Sequence, residues 1–365
     1  MDGIDAALVR VSSDSSVEFV HGLSCTLDTS LSNTLNKLAS GEPVLLDDFA
    51  AADTELGEAL ADAAVELATQ ANVPLSAIAA IGSHGQTVHH RPGKRHANTL
   101  QIGNPSVIAE RTRCITVADF RRADMAAGGQ GAPLLPALHQ KWFASPTENR
   151  AVLNLGGIAN ITTLAAGIGV PTTGFDTGPA NTLMDQWCIR HTGKPFDRDG
   201  QWASTGLTNK KLLNSMLSEP YLARKPPKST GRELFHMGWL DAHLEQLSSH
   251  RPRPEDVQRM LLAFTVETVR DGLALAVFEP ARILVSGGGC HNKLLMDQLN
   301  QATGVSVQSV SEFGASPDYL EAMAFAWFAA ARLSAQAVLP PSVTGAKHAV
   351  VAGAIYDPKT TDLSP

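Results

Sequence analysis

The sequence has no surplus of positive charge. Lys and Arg number 29 against 36 Asp and Glu, a net charge of -7 at pH 7, whereas a nucleic-acid partner would call for a basic face. Cysteine is sparse: Cys25, Cys114, Cys188 and Cys290 lie far apart with no CxxC pair. That spacing argues against a disulfide frame or a zinc site and fits reduced thiols in a cytoplasmic protein. No apolar run approaches the length of a membrane span, and no signal-peptide pattern opens the chain. GxSxG is missing, so a serine nucleophile on a strand-to-helix elbow finds no support. What is present is 365 residues of ordinary globular composition, enough for two domains with a core each.

The stretch 151–185 organises the rest. Two apolar strand runs, 151–155 and 158–164, flank Gly156-Gly157, a hairpin signal because both turn residues tolerate positive φ. Asp176 follows in a Thr, Gly and Pro-rich loop before the helical run 181–190. A carboxylate beside backbone amides at a helix start suits phosphate or sugar chemistry. The plainer alternatives are an ordinary tight turn and a helix-capping aspartate.

Further glycine-rich strand ends accompany it. A helix at 54–71, capped by Asp53, precedes a short strand at 78–81 that ends in SHGQT. His84, His89 and His90 fall close together, but their spacing fits neither HExxH nor a zinc finger. His84 and Gln86 read instead as hydrogen-bonding groups at a strand end, or His84 as a satisfied buried histidine. Arg121, Arg122 and Asp124 stand between a strand end and the GGQG loop, as a solvated ion-pair cluster or as ligand-facing groups. The PPKSTGR stretch at 226–232 reads as a loop. Gly287, Gly288 and Gly289 end the strand 282–286, where bare backbone lets a base or phosphate come close. Glu321 opens a long Ala-rich helix at 319–336, a position the helix dipole favours by itself. The tail from 338 reads as surface-wrapped or mobile.

Strands precede helices twice over, which predicts two mixed α/β domains facing each other across a cleft. The polar stretch 145–150 sets the boundary, giving domains 1–145 and 146–365. The arrangement resembles the actin-like (RNase H-like), hexokinase-like architecture, in which hairpins of both domains grip ATP.

Taken together, the motifs resemble the anhydro-N-acetylmuramic acid kinase family. DGIDAALV at 2–9, SHGQTVHHRP at 83–92, QIGNP at 101–105, ADFRRADMAAGGQGAPL at 118–134, NLGGIANIT at 154–162, GFDTGPAN at 174–181 and SGGG at 286–289 carry the likeness along nearly the whole chain. The resemblance implies ATP-dependent conversion of 1,6-anhydro-N-acetylmuramic acid to N-acetylmuramic acid 6-phosphate, a phosphotransferase reaction of peptidoglycan recycling. Asp176 is then the general base for an attacking water. ATP contacts fall to Asp2, Gly3, Asp5, Asn154, Gly156, Gly157, Gly287, Gly288 and Gly289. His84, Gln86, Arg121 and Glu321 surround the sugar. Mg²⁺ travels with ATP and is not caged by protein side chains alone. The resemblance also implies a homodimer, while charge, cysteine usage and the lack of a spanning run predict a cytoplasmic protein with no nucleic-acid or membrane partner.

Two departures from the family pattern stand out. Ala180 occupies a position where the family usually has Gly. Met1 directly precedes Asp2-Gly3, where members carry a hydrophobic strand and a GTS turn, so the first strand and most of the first phosphate loop are expected to be missing. Two rivals follow: a catalytically impaired member that still binds muramyl sugar or dimerises, and a different actin-like ATPase that turns over ATP without sugar.

Overall fold

The computed structural model describes residues 3–12, 16–93, 95–167, 172–226, 228–231, 233–247 and 252–358. The chain forms two compact units: residues up to Leu138 together with those from Tyr319 onward, and the intervening His139–Asp318.

In the first unit, β1 (Gly3–Val11) and β2 (Val17–Thr26) form an antiparallel pair with a register shift at Leu8/Val9. A Cβ on Gly3 would lie 2.7 Å from the Cys25 carbonyl, so close strand pairing already accounts for that glycine. A helix at Thr29–Ser40 follows. Asp28 caps it by accepting from the Ser30 and Leu31 amides at 2.8 and 3.4 Å, and Leu31 and Leu35 are its buried residues. The next helix runs Leu46–Gln70, eight residues earlier at its start than the sequence suggests, and Asp53 lies inside it. Instead of capping that helix, Asp53 accepts from the Gly103 amide at 2.8 Å, while its main-chain carbonyl takes the Asn104 amide at 2.9 Å. The QIGNP turn is thereby anchored, and Asn104 caps the helix Pro105–Thr112.

β3 (Ile81–Gly82) leads into the antiparallel hairpin of β4 (Gln86–Arg91) and β5 (Asn98–Ile102). β6 (Thr116–Ala118) pairs in parallel with β3 and antiparallel with a late strand, Ala354–Tyr356. Of the two alternatives for the tail, surface-wrapped or mobile, that late strand agrees with the wrapped one as far as Tyr356. The domain expectation is corrected, because residues from Tyr319 belong with the first unit and not with the second. The physical reason is local to this unit. A Cβ on Gly82 would strike the Phe325 carbonyl of the helix Leu320–Leu333, and Phe120 meets both Phe325 and Phe328 of the same helix. The division between the units falls at Leu138/His139, within the helix Leu135–Phe143, a few residues before the polar stretch.

The second unit is built on β7 (Arg150–Leu155), β8 (Ile158–Leu164), β9 (Thr173–Pro179), β10 (Arg282–Ser286) and β11 (Ser306–Ser309), in spatial order β11-β10-β7-β8-β9. β7, β8 and β9 form an antiparallel meander, and β10 and β11 extend it in parallel from β7. This is the strand order of an RNase H-like sheet, and the mixed α/β class read from the sequence is the one observed. Ala151, Val152 and Leu153 are all fully buried, as a central strand covered on both faces requires. The long helix Pro254–Ala274 supplies Val257, Met260, Leu261 and Phe264 to the core, where they join Leu153, Leu155 and Ile161.

Candidate active site

Asp176 lies in β9, not in a loop, and it does not cap the following helix Asn181–Thr192, whose N-cap position is Ala180. The Thr-Gly-Pro composition argues for a loop, but pairing with β8 overrides it: Asn160 faces Asp176 across a bulge between Ala159 and Asn160. β9 is the sheet edge, so the outward main-chain groups of Asp176 need other partners. Tyr221 Oη donates to the Asp176 carbonyl at 2.9 Å. The Asp176 amide donates to the Lys228 carbonyl at 3.2 Å, and the Thr230 amide donates to Asp176 Oδ2 at 3.0 Å. Among the described residues no donor reaches Oδ1. The carboxyl pKa is raised, first by burial and further by Glu233, against the lowering effects of the Thr230 amide and Lys228. A half-buried carboxylate with one oxygen held and its proton affinity increased is suited to accept a proton.

The glycine-rich loops of this unit meet beside the β7–β10 pair. Asn154 and Ser286 are register partners. Gly287 takes φ +82°, and a Cβ there would lie 2.6 Å from Asn154 Oδ1 and 2.8 Å from the Leu155 carbonyl oxygen. Gly289 has equally little room, its would-be Cβ lying 2.5 Å from Leu155 Cβ. Gly288 faces open space, with Asn181 Nδ2 the nearest atom at 3.9 Å. The sequence reading missed Asn181, whose amide donates to the Leu155 carbonyl at 2.8 Å and braces this corner. Its place as the last residue of the GFDTGPAN motif was the hint the sequence offered.

Gly156 and Gly157 do join two antiparallel strands, but neither adopts positive φ. Their carbonyls instead accept the first amides of the following helix: Ala180 and Thr182 donate to Gly157 at 2.9 and 3.2 Å, and Asn181 donates to Gly156 at 3.0 Å. Those amides are therefore already bonded and are not the bare helix start expected for a phosphate. What fits a nucleotide here is the uncrowded backbone at Gly156 and Gly288, where a side chain would meet little and a ligand can approach.

The first unit brings His84, Arg121, Glu321 and Asp5 together. Arg121 Nε donates to His84 Nε2 at 3.0 Å, and Arg121 also donates to the Gly131 carbonyl at 2.7 Å. The His84 ring rests against Phe325 with centroids 4.6 Å apart. Burial and then the Arg121 charge push the His84 pKa down to about 4. Glu321 remains open to solvent, yet desolvation by the surrounding protein raises its carboxyl, with Asp5 adding to the rise and Arg121 opposing it. Asp5, expected on ATP, accepts from Ser24 Oγ at 2.6 Å and acts electrostatically on Glu321. Gln86 does not join this network; its amide donates to the Thr87 carbonyl at 3.3 Å. Asp2 lies outside the described residues. The GGQG loop is held by buried Asp124, which accepts from the Gly131 amide at 2.8 Å and from Thr344 Oγ1 at 2.6 Å, so Asp124 is structural. Among the described residues no three His, Cys, Asp or Glu side chains gather as a metal-holding group, and no helix is long and apolar enough to cross a membrane.

The sheet order of the second unit, β11-β10-β7-β8-β9, is that of the RNase H-like sheets of actin-like folds. The family model for anhydro-N-acetylmuramic acid kinase matches residues 1–358. A relative of that name from Xanthomonas campestris pv. campestris (strain 8004) is 47% identical over 359 residues, covering 97% of this chain and 94% of its own. One from Xylella fastidiosa is 46% identical, covering 98% and 93%, and one from Bordetella petrii is 45% identical, also covering 98% and 93%. The chain belongs to the anhydro-N-acetylmuramic acid kinase family.

Proposed function

We propose that this protein hydrolyses the anhydro bridge of 1,6-anhydro-N-acetylmuramic acid and phosphorylates the freed oxygen, giving N-acetylmuramic acid 6-phosphate. The observation that carries the mechanism is the hold on Asp176: the Thr230 amide engages Oδ2 at 3.0 Å and leaves Oδ1 for the water proton. As Oδ1 takes that proton, the water oxygen bonds to the anomeric carbon. The bond from that carbon to O6 breaks, its electron pair goes to O6, and O6 accepts the γ-phosphoryl group while ADP departs. ATP supplies the phosphoryl group, and Mg²⁺ bound with it offsets charge on the transferring oxygens. Asn154, Gly156, Gly157 and Gly287 to Gly289 bind the nucleotide. His84, Arg121 and Glu321 bind the sugar, and Asp5 belongs with them. Gln86 contributes less, since its amide is turned to the backbone. Family membership supports the same reading for a cytoplasmic homodimer.

Mass spectrometry after incubation with Mg-ATP and the anhydro sugar should find a product heavier by one water and one phosphoryl group. ATP consumption without such a product would instead identify a sugar-independent ATPase. Sugar binding with neither product nor ATP turnover would identify an impaired binder.

A further inference from the structure

The sequence marks 226–232 only as a loop, yet its neighbours close around Asp176 from three directions. Tyr221 Oη holds the Asp176 carbonyl, Lys228 accepts the Asp176 amide through its own carbonyl, and the Thr230 amide holds the carboxylate. Both outward main-chain groups of one edge-strand residue, and one oxygen of its side chain, are thus bonded by a single segment. Nothing in an RNase H-like sheet requires that, because an edge strand can leave those groups to water. The segment is itself braced. Tyr221 is 3% exposed, and its ring meets Phe235 edge-on with centroids 6.1 Å apart. Lys228 Nζ donates to the Leu222 carbonyl at 2.9 Å and sits 5.1 Å from the centre of the Tyr221 ring.

Resting on the assignment of Asp176 as base, we propose that the described residues of the 221–233 segment are the positioning element of that base. Tyr221 fixes its main chain, and Lys228 and Glu233 set its charge environment. Lys228 and Glu233 are the charged side chains among the described residues whose fields act on Asp176, with opposite sign, and the Tyr221 phenol is the remaining titratable neighbour. Glu233 folds back over Gly231, where a Cβ would collide with its Oε2. Gly231 therefore lets this carboxylate stand near the base. The opposed charges hold Asp176 ionised enough to act, yet basic enough to take a proton from water.

The test uses full-length protein and steady-state kinetics across pH. Tyr221→Phe deletes only the hydroxyl and keeps the buried ring, so kcat should fall about 5- to 50-fold, with KM for ATP within about twofold and the melting temperature nearly unchanged. Lys228→Met should move the acid limb of kcat to higher pH, and Glu233→Gln should move it to lower pH. An ordinary structural loop would move neither limb. Wild-type kcat in Tyr221→Phe together with unmoved limbs in the other two variants would overturn the proposal. If Tyr221→Phe fails to fold, the opposed limb shifts decide alone. Asp176→Asn separates the two levels of inference: full activity in that variant removes the base assignment, whereas its inactivity beside three wild-type-like loop variants removes only the positioning element.

Discussion

Arg121 Nε donates to His84 Nε2 at 3.0 Å, and that bond decides which imidazole nitrogen carries the proton. Nε2 must be the acceptor, so the proton sits on Nδ1, which donates to the Gly85 carbonyl at 2.9 Å. A protonated ring would present Nε2–H to a guanidinium that has nothing to accept with. With its pKa pushed down to about 4, His84 is neutral at neutral pH and serves as a fixed wedge between Phe325 and Arg121.

Arg121→Lys should therefore impair sugar binding far more than nucleotide binding. Lysine keeps the charge but cannot reach His84 Nε2 and the Gly131 carbonyl together from one rigid fork. At about 1.5–3 kcal/mol for a hydrogen bond to a charged group, KM for the anhydro sugar should rise roughly 10- to 100-fold. KM for ATP should stay within about twofold of wild type. Equal changes in both constants would place Arg121 outside the sugar contacts.

Asp176→Asn should abolish turnover and raise stability. The folded-state pKa of Asp176 lies above its unfolded value, so its ionisation penalises the folded protein at pH values above the folded pKa. As pH falls below the unfolded value, near 4, the penalty disappears. Asparagine removes the charge and can still accept from the Thr230 amide. The variant's melting temperature should exceed wild type at pH 7.5 and converge with it near pH 4, as read by differential scanning calorimetry. A variant less stable at pH 7.5 would show that the ionised carboxylate is stabilising. Such an exchange of stability for activity is common at catalytic groups.

Much of this was readable from the sequence. The strand Arg282–Ser286 has the bounds its apolar run suggests, and the β7–β8 hairpin follows from the flanking periodicity. What stayed hidden is tertiary. The Leu46–Gln70 helix carries no side-chain cap, and Asp47 and Asp48 in its first turn are a weaker start signal than the Asp53 position that the sequence reading took as a cap. Ala354–Tyr356 is only three residues long and is a strand because β6 offers an edge. Asp176 lies in a composition that suits a loop, and register with β8 makes it a strand residue. Tyr221 carries no motif at all; its role follows from one hydroxyl meeting a carbonyl 45 residues away.

His139 offers a stability test away from the sites. It is fully buried, its Nδ1 lies 2.9 Å from Thr162 Oγ1, and among the described residues Nε2 has no hydrogen-bond partner. Burial pushes its pKa down to about 3. Above the unfolded value of about 6.5 it costs nothing through protonation. As pH falls below that value the unfolded chain binds a proton that the folded one refuses, so stability declines by up to about 1.4 kcal/mol per pH unit until the folded pKa is reached. Urea titrations should show His139→Gln losing less stability than wild type between pH 6.5 and 4. Parallel losses in the two proteins would mean that His139 protonates readily in the folded state.

Two adjacent glycines should respond in opposite ways. Gly287→Ala forces a left-handed backbone on a residue with a Cβ and drives that Cβ toward Asn154 Oδ1 and the Leu155 carbonyl. It should lower the melting temperature and weaken every activity together. Gly288→Ala adds a methyl into open space, with no atom nearer than 3.9 Å, so the fold should tolerate it. If the nucleotide lies against this backbone, that methyl occupies its place, and KM for ATP should rise at least about tenfold at unchanged melting temperature, in line with a steric loss of 1.4 kcal/mol or more. KM for the anhydro sugar should stay close to wild type. Calorimetry alongside ATP titration of both variants separates a glycine kept for its conformation from one kept for its ligand. A Gly288→Ala enzyme with wild-type KM for ATP would remove the glycine corner from the nucleotide site.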